Sequence, residues 1–406
     1  MTIATAPGRA ATALLRAIAA TAALAALIGL TSARAGEAPA AEAERAADDA
    51  YYPVTVTDLA GREVTLEAPP ERIVLQDSND LLALSILEPG SPVARVVGWQ
   101  NTLEGSDPGL WEVIAERWPQ AEAVDALTFN SNGQIDVEGI LNLAPDLVVA
   151  RLPARTAIEE GQLGRMLERL DIPLLYVDTE YDPLENVPKS LELLGEALNR
   201  RAPAETYSRE YRGRLEAIRE RVAPLPNRRV FVEVRAGEAG DECCKTHGSA
   251  AWGHMIEAVG ATNAANEYLG GLPSGTISLE ALISQPPDHY LMTGTQRVNQ
   301  GNRSIPLGYR AEEAAIEEKM AQLMARPGFN ALTAGDLGCV QALHHQFYNN
   351  IFNLVALEYL ALALWPAAFD DLDPSESYRE LIARYTELPA DVPFTFSAEY
   401  CTQSDT

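Results

Sequence analysis

Ile135 to Val149 reads IDVEGILNLAPDLVV, and Ile277 to Leu291 reads ISLEALISQPPDHYL. Isoleucine, glutamate and Pro-Asp recur in the same relative places, and one separation of 142 positions holds across the motif (138 to 280, 145 to 287). A constant offset of this kind signals repeated structure. Each copy predicts a short amphipathic helix that stops before Pro-Asp, because a proline drives the preceding residue out of the helical region, and then an apolar strand. ERIVLQ around Ile73 and RRVFVE around Phe231 form a weaker echo at the start of each half.

Between the two copies lies a polar helical segment, Asn186 to Val222. Its second part has Pro203 near the predicted helix start and apolar residues at Tyr207, Tyr211, Leu215, Ile218 and Val222, which form one helical stripe. A helix of about 20 residues spans roughly 30 Å, the breadth of a small domain. It is therefore expected to act as a strut between two lobes.

Outward from these elements, strands and helices alternate. VTVTD and EVTL flank Ala60-Gly61-Arg62 as a hairpin; RIVLQ, VARVVGW, LVVAR and IPLLYVD predict strands in the first half; VFVEV, HYLMTG and Cys339 to Leu343 do so in the second. The expected class is α/β: two Rossmann-like lobes, each with a mostly parallel central sheet, joined by a single long rigid α-helix. The corresponding segments are a signal peptide at 1–35, a disordered tether at 36–51, an N-terminal lobe at 52–182, a linker helix region at 183–223 and a C-terminal lobe at 224–406.

The N-terminal expectation rests on Arg9 and Arg16, the apolar run Ala17 to Leu30 and the small-x-small site Ala33-Arg34-Ala35. The run is too short to span a bilayer comfortably. No cysteine follows that site, which speaks against a lipid anchor there. The formal charge is −27, a balance that disfavours nucleic acid and anionic lipid as partners.

Cys243, Cys244, Cys339 and Cys401 are disulfide candidates in an oxidising compartment. Pairing of adjacent Cys243 and Cys244 is expected to be unfavourable, so one of them is expected to pair with Cys339 or Cys401. A zinc site lacks the usual C-x-x-C spacing. GDECCKT, Gly240 to Thr246, has Cys244 where a phosphate-cradling loop needs glycine before the lysine. All five histidines, His247, His254, His289, His344 and His345, lie in the second half, whereas a bare metal held between two lobes would usually take imidazole from both.

In open α/β sheets ligands bind beyond the carboxyl ends of the strands. Residues just past the predicted strands are Asp77, Ser78, Trp99, Gln100, Arg151, Asp178, Arg235, Thr293, Thr295, Arg297, His344, His345, Phe347 and Tyr348. Of these, Asp77, Ser78, Trp99, Gln100, Arg151, Arg235, Arg297, His344, His345 and Tyr348 form the expected ligand-binding set. Trp252 is expected to pack in the core.

The stretch VTVTDLAGREVTLEAPPERIVLQDSNDLLALSIL, the two Glu…Pro-Asp motifs and HHQFYNNIFNLVALEYLA resemble the periplasmic binding proteins of ABC importers for iron-siderophore, haem and vitamin B12. The likeness runs from Tyr52 to about Leu388. It implies two α/β lobes on a rigid helix, no catalytic residues, and a monomer that carries a ferric siderophore or related iron chelate to an inner-membrane permease with its ATPase. No cofactor is implied, the iron being held by the siderophore. The resemblance also implies that Glu138 and Glu280 dock onto permease arginines. A haem or corrinoid carrier of the same fold is the alternative, with a free divalent metal carrier or an exported enzyme further off.

Overall fold

The computed structural model describes residues 50–238, 243–296, 303–333 and 339–401. The expected signal peptide, nearly all of the tether and Arg297 lie outside the described residues. Among the described residues, no helix is long and apolar enough to cross a membrane.

The hairpin forms as expected from β1 (Val54–Thr57) and β2 (Glu63–Leu66), with Gly61 at φ 76° in its turn. The first sheet contains β3 (Ile73–Leu75), β4 (Val96–Trp99), β5 (Asp125–Ala126), β6 (Leu147–Arg151) and β7 (Leu174–Val177), in the order β5-β4-β3-β6-β7. All of its pairings are parallel. In the second half come β8 (Arg229–Glu233), β9 (Lys245–His247), β10 (Thr262–Asn263), β11 (Ser274–Thr276), β12 (His289–Gly294), β13 (Gly308–Tyr309), β14 (Cys339–His344), β15 (Phe394–Thr395) and β16 (Ser397–Cys401). The second sheet runs β10-β8-β12-β14-β16, parallel except for β16 at the edge. In both sheets the order reverses beside the first strand, β3 in one and β8 in the other, and crevices for ligands form at such reversals.

The sequence repeat has a physical basis in a clasp. Asp146 accepts the backbone N–H groups of Glu71 and Arg72, each at 2.8 Å, and Asp288 accepts that of Arg229 at 2.7 Å. Arg72 Nε donates back to the carbonyls of Leu143 and Ala144, and Arg229 Nη1 to that of Pro286. Each lobe therefore ties the start of its first strand to the start of the strand that follows Pro-Asp.

The linker region differs from one unbroken helix. Helices Pro183–Ala197 and Arg201–Val222 are separated at Asn199, whose φ is 54°. The second helix, of 22 residues, is the strut. Its stripe Tyr207, Tyr211, Leu215, Ile218 and Val222 is buried as the spacing predicts, against the first helix and the apolar helix Leu354–Leu364. Gly195 allows the close approach, since a Cβ there would meet Ala204 Cβ at 2.5 Å.

The cysteines depart from expectation. Cys243 and Cys244 are joined to each other by a disulfide, their Cα atoms 3.1 Å apart across a cis peptide that turns both side chains to one side. For Cys339 and Cys401 the backbone register alone is described, and it places them opposite one another in β14 and β16.

At the end of β8, Glu233 forms a two-pronged ion pair with Arg326 at 2.7 Å per contact and accepts the Tyr290 hydroxyl at 2.8 Å. All three side chains are buried. Removing one partner strands a buried charge, so Arg326→Met should lower the unfolding free energy by about 3–5 kcal/mol. Urea denaturation of the variant checks this; a loss within error of zero would show that the pair contributes nothing.

Candidate ligand-binding site

At the carboxyl end of the first sheet, Arg151 is 2 % exposed and holds three acids: Asp80 at 3.0 Å, Glu180 at 3.3 Å and Asp77 at 3.5 Å. Its backbone N–H also donates to Gln76 Oε1 at 2.7 Å. Burial by itself would weaken the guanidinium's hold on its proton, but Asp77, Asp80 and Glu180 outweigh it and hold the proton more firmly than usual. Burial pushes Asp80 up to about 6 against the opposing pull of Arg151, and it raises Glu180 as well. Three carboxylates around one guanidinium leave this wall acidic. Both Nη groups of the arginine are thereby engaged in internal pairs.

At the carboxyl end of the second sheet the groups are mostly rings. His345 Nδ1 lies 2.8 Å from Thr293 Oγ1, which also accepts the Arg235 backbone N–H at 2.9 Å. The rings of His247, His345 and Tyr348 cluster, with centroids 5.2–6.2 Å apart. Burial, with Arg235 and Lys245 nearby, lowers His247 to about 4, so it is neutral at physiological pH. Its Nδ1 is buried with no hydrogen-bond partner among the described residues.

These two walls meet at Tyr348. Burial raises its hydroxyl pKa well above the ordinary range, and the charges it senses come from Glu180, Arg151 and Asp77 of one lobe and Arg235 of the other. Beside them the lobes are bonded directly: Thr295 Oγ1 donates to Ser106 O at 2.9 Å, and Arg310 contacts Glu112 and Glu116 at 2.8 and 2.6 Å.

Several expected ligand residues take other places. Trp99 is 1 % exposed and packs edge-on against Trp111, because its position in β4 points into the core. Ser78 is fully buried and accepts the Leu103 N–H. Gln100 Oε1 accepts the Phe129 N–H. Asp178 caps the following turn by accepting the N–H groups of Glu180 and Tyr181. Phe347 and, as expected, Trp252 are buried. Asp77 and Tyr348 remain half-exposed between the walls, as does Arg235, which pairs with Glu238 at 3.2 Å. Asp80, Glu180 and His247 were not in the expected set. Asp80 reads as a helix start, Glu180 lies past the strand end, and His247 belongs to a three-residue strand hidden behind the Cys-Cys pair. Those cysteines and Glu233 converge within 4.8 Å, but the sulfurs are joined to each other and the carboxylate is taken by Arg326, which leaves no free ligand set for a metal.

The family model for "Periplasmic binding protein" matches residues 109–346, more than half of the chain. The chain belongs to the periplasmic binding protein family. An uncharacterized ABC transporter substrate-binding lipoprotein of Bacillus subtilis, YvrC, is 23 % identical over 246 residues, 60 % of this chain and 69 % of the relative. The TroA-like periplasmic binding protein FepB from Veillonella parvula has a TM-score of 0.77 at 23 % identity, covering 85 % of this chain and 99 % of that one. Helicobacter pylori CeuE, as a nickel–histidine complex, has a TM-score of 0.60 at 18 % identity, covering 83 % and 96 %. These structural likenesses show the two-lobed α/β fold. The protein is thus a member of an extracytoplasmic family of binding proteins.

His344, also expected at the ligand, instead points to Asp107, with Nε2 3.1 Å from Oδ2 and both side chains buried. Burial lowers the imidazole to about 3 and raises the carboxyl to about 7, so the pair resists carrying net charge. His344→Leu should leave Asp107 buried alone. Its folded pKa would then stand near 7, above the unfolded value of roughly 3.9, so the folded state binds the extra proton. Stability should be fully present below about pH 4 and fall as pH rises through 7, by up to about 4 kcal/mol. In the parent the depressed histidine contributes the opposite slope over much of this window. Denaturation from pH 4 to 8 checks this; parallel profiles for parent and variant would refute it.

Proposed function

We propose that this protein captures a ferric siderophore or similar iron complex between its two sheets and delivers it to an inner-membrane permease powered by its own ATPase. The observation that carries this reading is the pairing of the His247, His345 and Tyr348 ring cluster on one lobe with the acidic Asp77, Asp80 and Glu180 wall on the other. Imidazole and phenol groups meet the metal-bearing face of a polar chelate, and the acidic wall favours a cargo without excess negative charge. A haem or corrinoid needs broad flat apolar surface. Trp99, Trp252 and Phe347, which would have supplied it, are each 2 % exposed or less, and this weighs for the polar chelate.

Tyr348 lies 6.2 Å from Trp252, ring to ring, so cargo at Tyr348 should quench tryptophan emission. Titration with ferric hydroxamates, catecholates and carboxylates, haem and cobalamin should give saturable quenching with one class of ferric chelate. Tyr348→Phe and His247→Ala should each weaken it about tenfold or more, the loss of one good polar contact. Saturation by haem with a strong visible band, or indifference of affinity to both substitutions, would overturn the assignment.

Docking is proposed at Glu138 and Glu280. Each is exposed and stands second in a six-residue helix, Val137–Asn142 capped by Asp136 and Leu279–Ser284 capped by Ser278. One acid per lobe, presented in the same way, matches a two-fold partner. The double variant Glu138→Arg, Glu280→Arg should abolish cellular uptake while chelate affinity stays unchanged; continued transport would remove the assignment.

A further inference from the structure

A small cavity of about 10 Å³ is lined by residues of both lobes, among them Asp80, Arg151 and Thr179 of one and Asn349 to Ile351 of the other, which is room for about one water molecule. Four side-chain polar atoms on its lining residues are buried with no hydrogen-bond partner among the described residues: Asp80 Oδ2, Arg151 Nε, Thr179 Oγ1 and Asn349 Oδ1. Their side chains belong to residues only 4, 2, 8 and 7 % exposed. Leaving four such groups unpaired in one place would cost far more than a native fold usually tolerates.

We propose that this chamber, which shares Asp80 and Arg151 with the acidic wall, binds a single water molecule that bridges the two lobes. The chemistry of the four groups selects the guest. Arg151 Nε–H and the Thr179 hydroxyl donate, whereas Asp80 Oδ2 and Asn349 Oδ1 accept. A water molecule accepts two hydrogen bonds and donates two, so it satisfies all four at once. A sodium or potassium ion would face the guanidinium N–H, and an ammonium ion would meet a donor where it needs an acceptor. Arg151 ends β6 and Asp80 and Thr179 follow β3 and β7 of the first sheet, and Asn349 ends the turn His345–Asn349 that carries Tyr348. The bridge therefore fixes Tyr348 against the acidic wall whatever cargo is carried, and its test does not depend on the cargo's identity.

The sign of one melting-temperature change provides the test. Thr179→Val keeps the side-chain shape and removes the hydroxyl. With the water in place, the full-length protein should melt a few degrees lower, because a filled hydrogen bond is lost. Without it, the substitution removes an unpaired buried hydroxyl, and the melting temperature should stay the same or rise; either result overturns the proposal. A crystal structure of the unliganded protein should show one peak about 2.7–3.2 Å from all four atoms. No peak, or one ringed by five or more oxygens at cation distances, would overturn it as well.

Discussion

Two buried tyrosine hydroxyls fix the geometry on which the site depends. From the strut helix, Tyr207 donates to Ile351 O at 2.6 Å and Tyr211 to Asn353 Oδ1 at 2.8 Å. Asn353 in turn donates to Pro183 O at the start of the preceding helix. The chain from Asn350 to Asn353 is thereby held to the strut immediately after the segment that carries His345, Tyr348 and Asn349. Burial raises both tyrosines' pKa values, which keeps the hydroxyls protonated as donors. These bonds, with the cross-lobe contacts beside the site, set the position of the ring cluster of one lobe relative to the acids of the other.

The two walls divide the work of recognition. Arg151 gathers three carboxylates and keeps them ordered. Facing it, burial keeps His247 neutral and Tyr348 protonated, so these two groups present a lone pair and a hydroxyl beside the Arg235 guanidinium. The arrangement discriminates by polarity and charge, with little reliance on apolar area. The neighbouring cross-lobe contacts Thr295 to Ser106 and His344 to Asp107 place fixed bonds close to the site.

Much of the fold was legible because its signals are local. The Pro-Asp echo marks a clasp in which Asp146 and Asp288 receive backbone N–H groups, so the same residues recur wherever the same strand starts must be tied. The stripe on the strut follows from helical period alone. The break at Asn199 was not visible, since a left-handed asparagine has no apolar signature. Site residues were less legible because position past a strand end does not reveal orientation. Tyr348 and Asp77 face the space between lobes, whereas Trp99, the last residue of its own strand, turns into the core. The vicinal disulfide escaped sequence reasoning, which weighed the usual trans backbone.

A rigid frame is the central claim: strut, tyrosine bonds and cross-lobe contacts hold the walls at nearly constant separation whether or not cargo is present. Spin labels at the exposed positions Glu122 and Glu318, one per lobe, allow the interlobe distance to be measured in the free and chelate-saturated protein. The account predicts that the main distance changes by no more than about 2 Å. A shift of many ångströms, as hinge closure around a ligand produces, would contradict it.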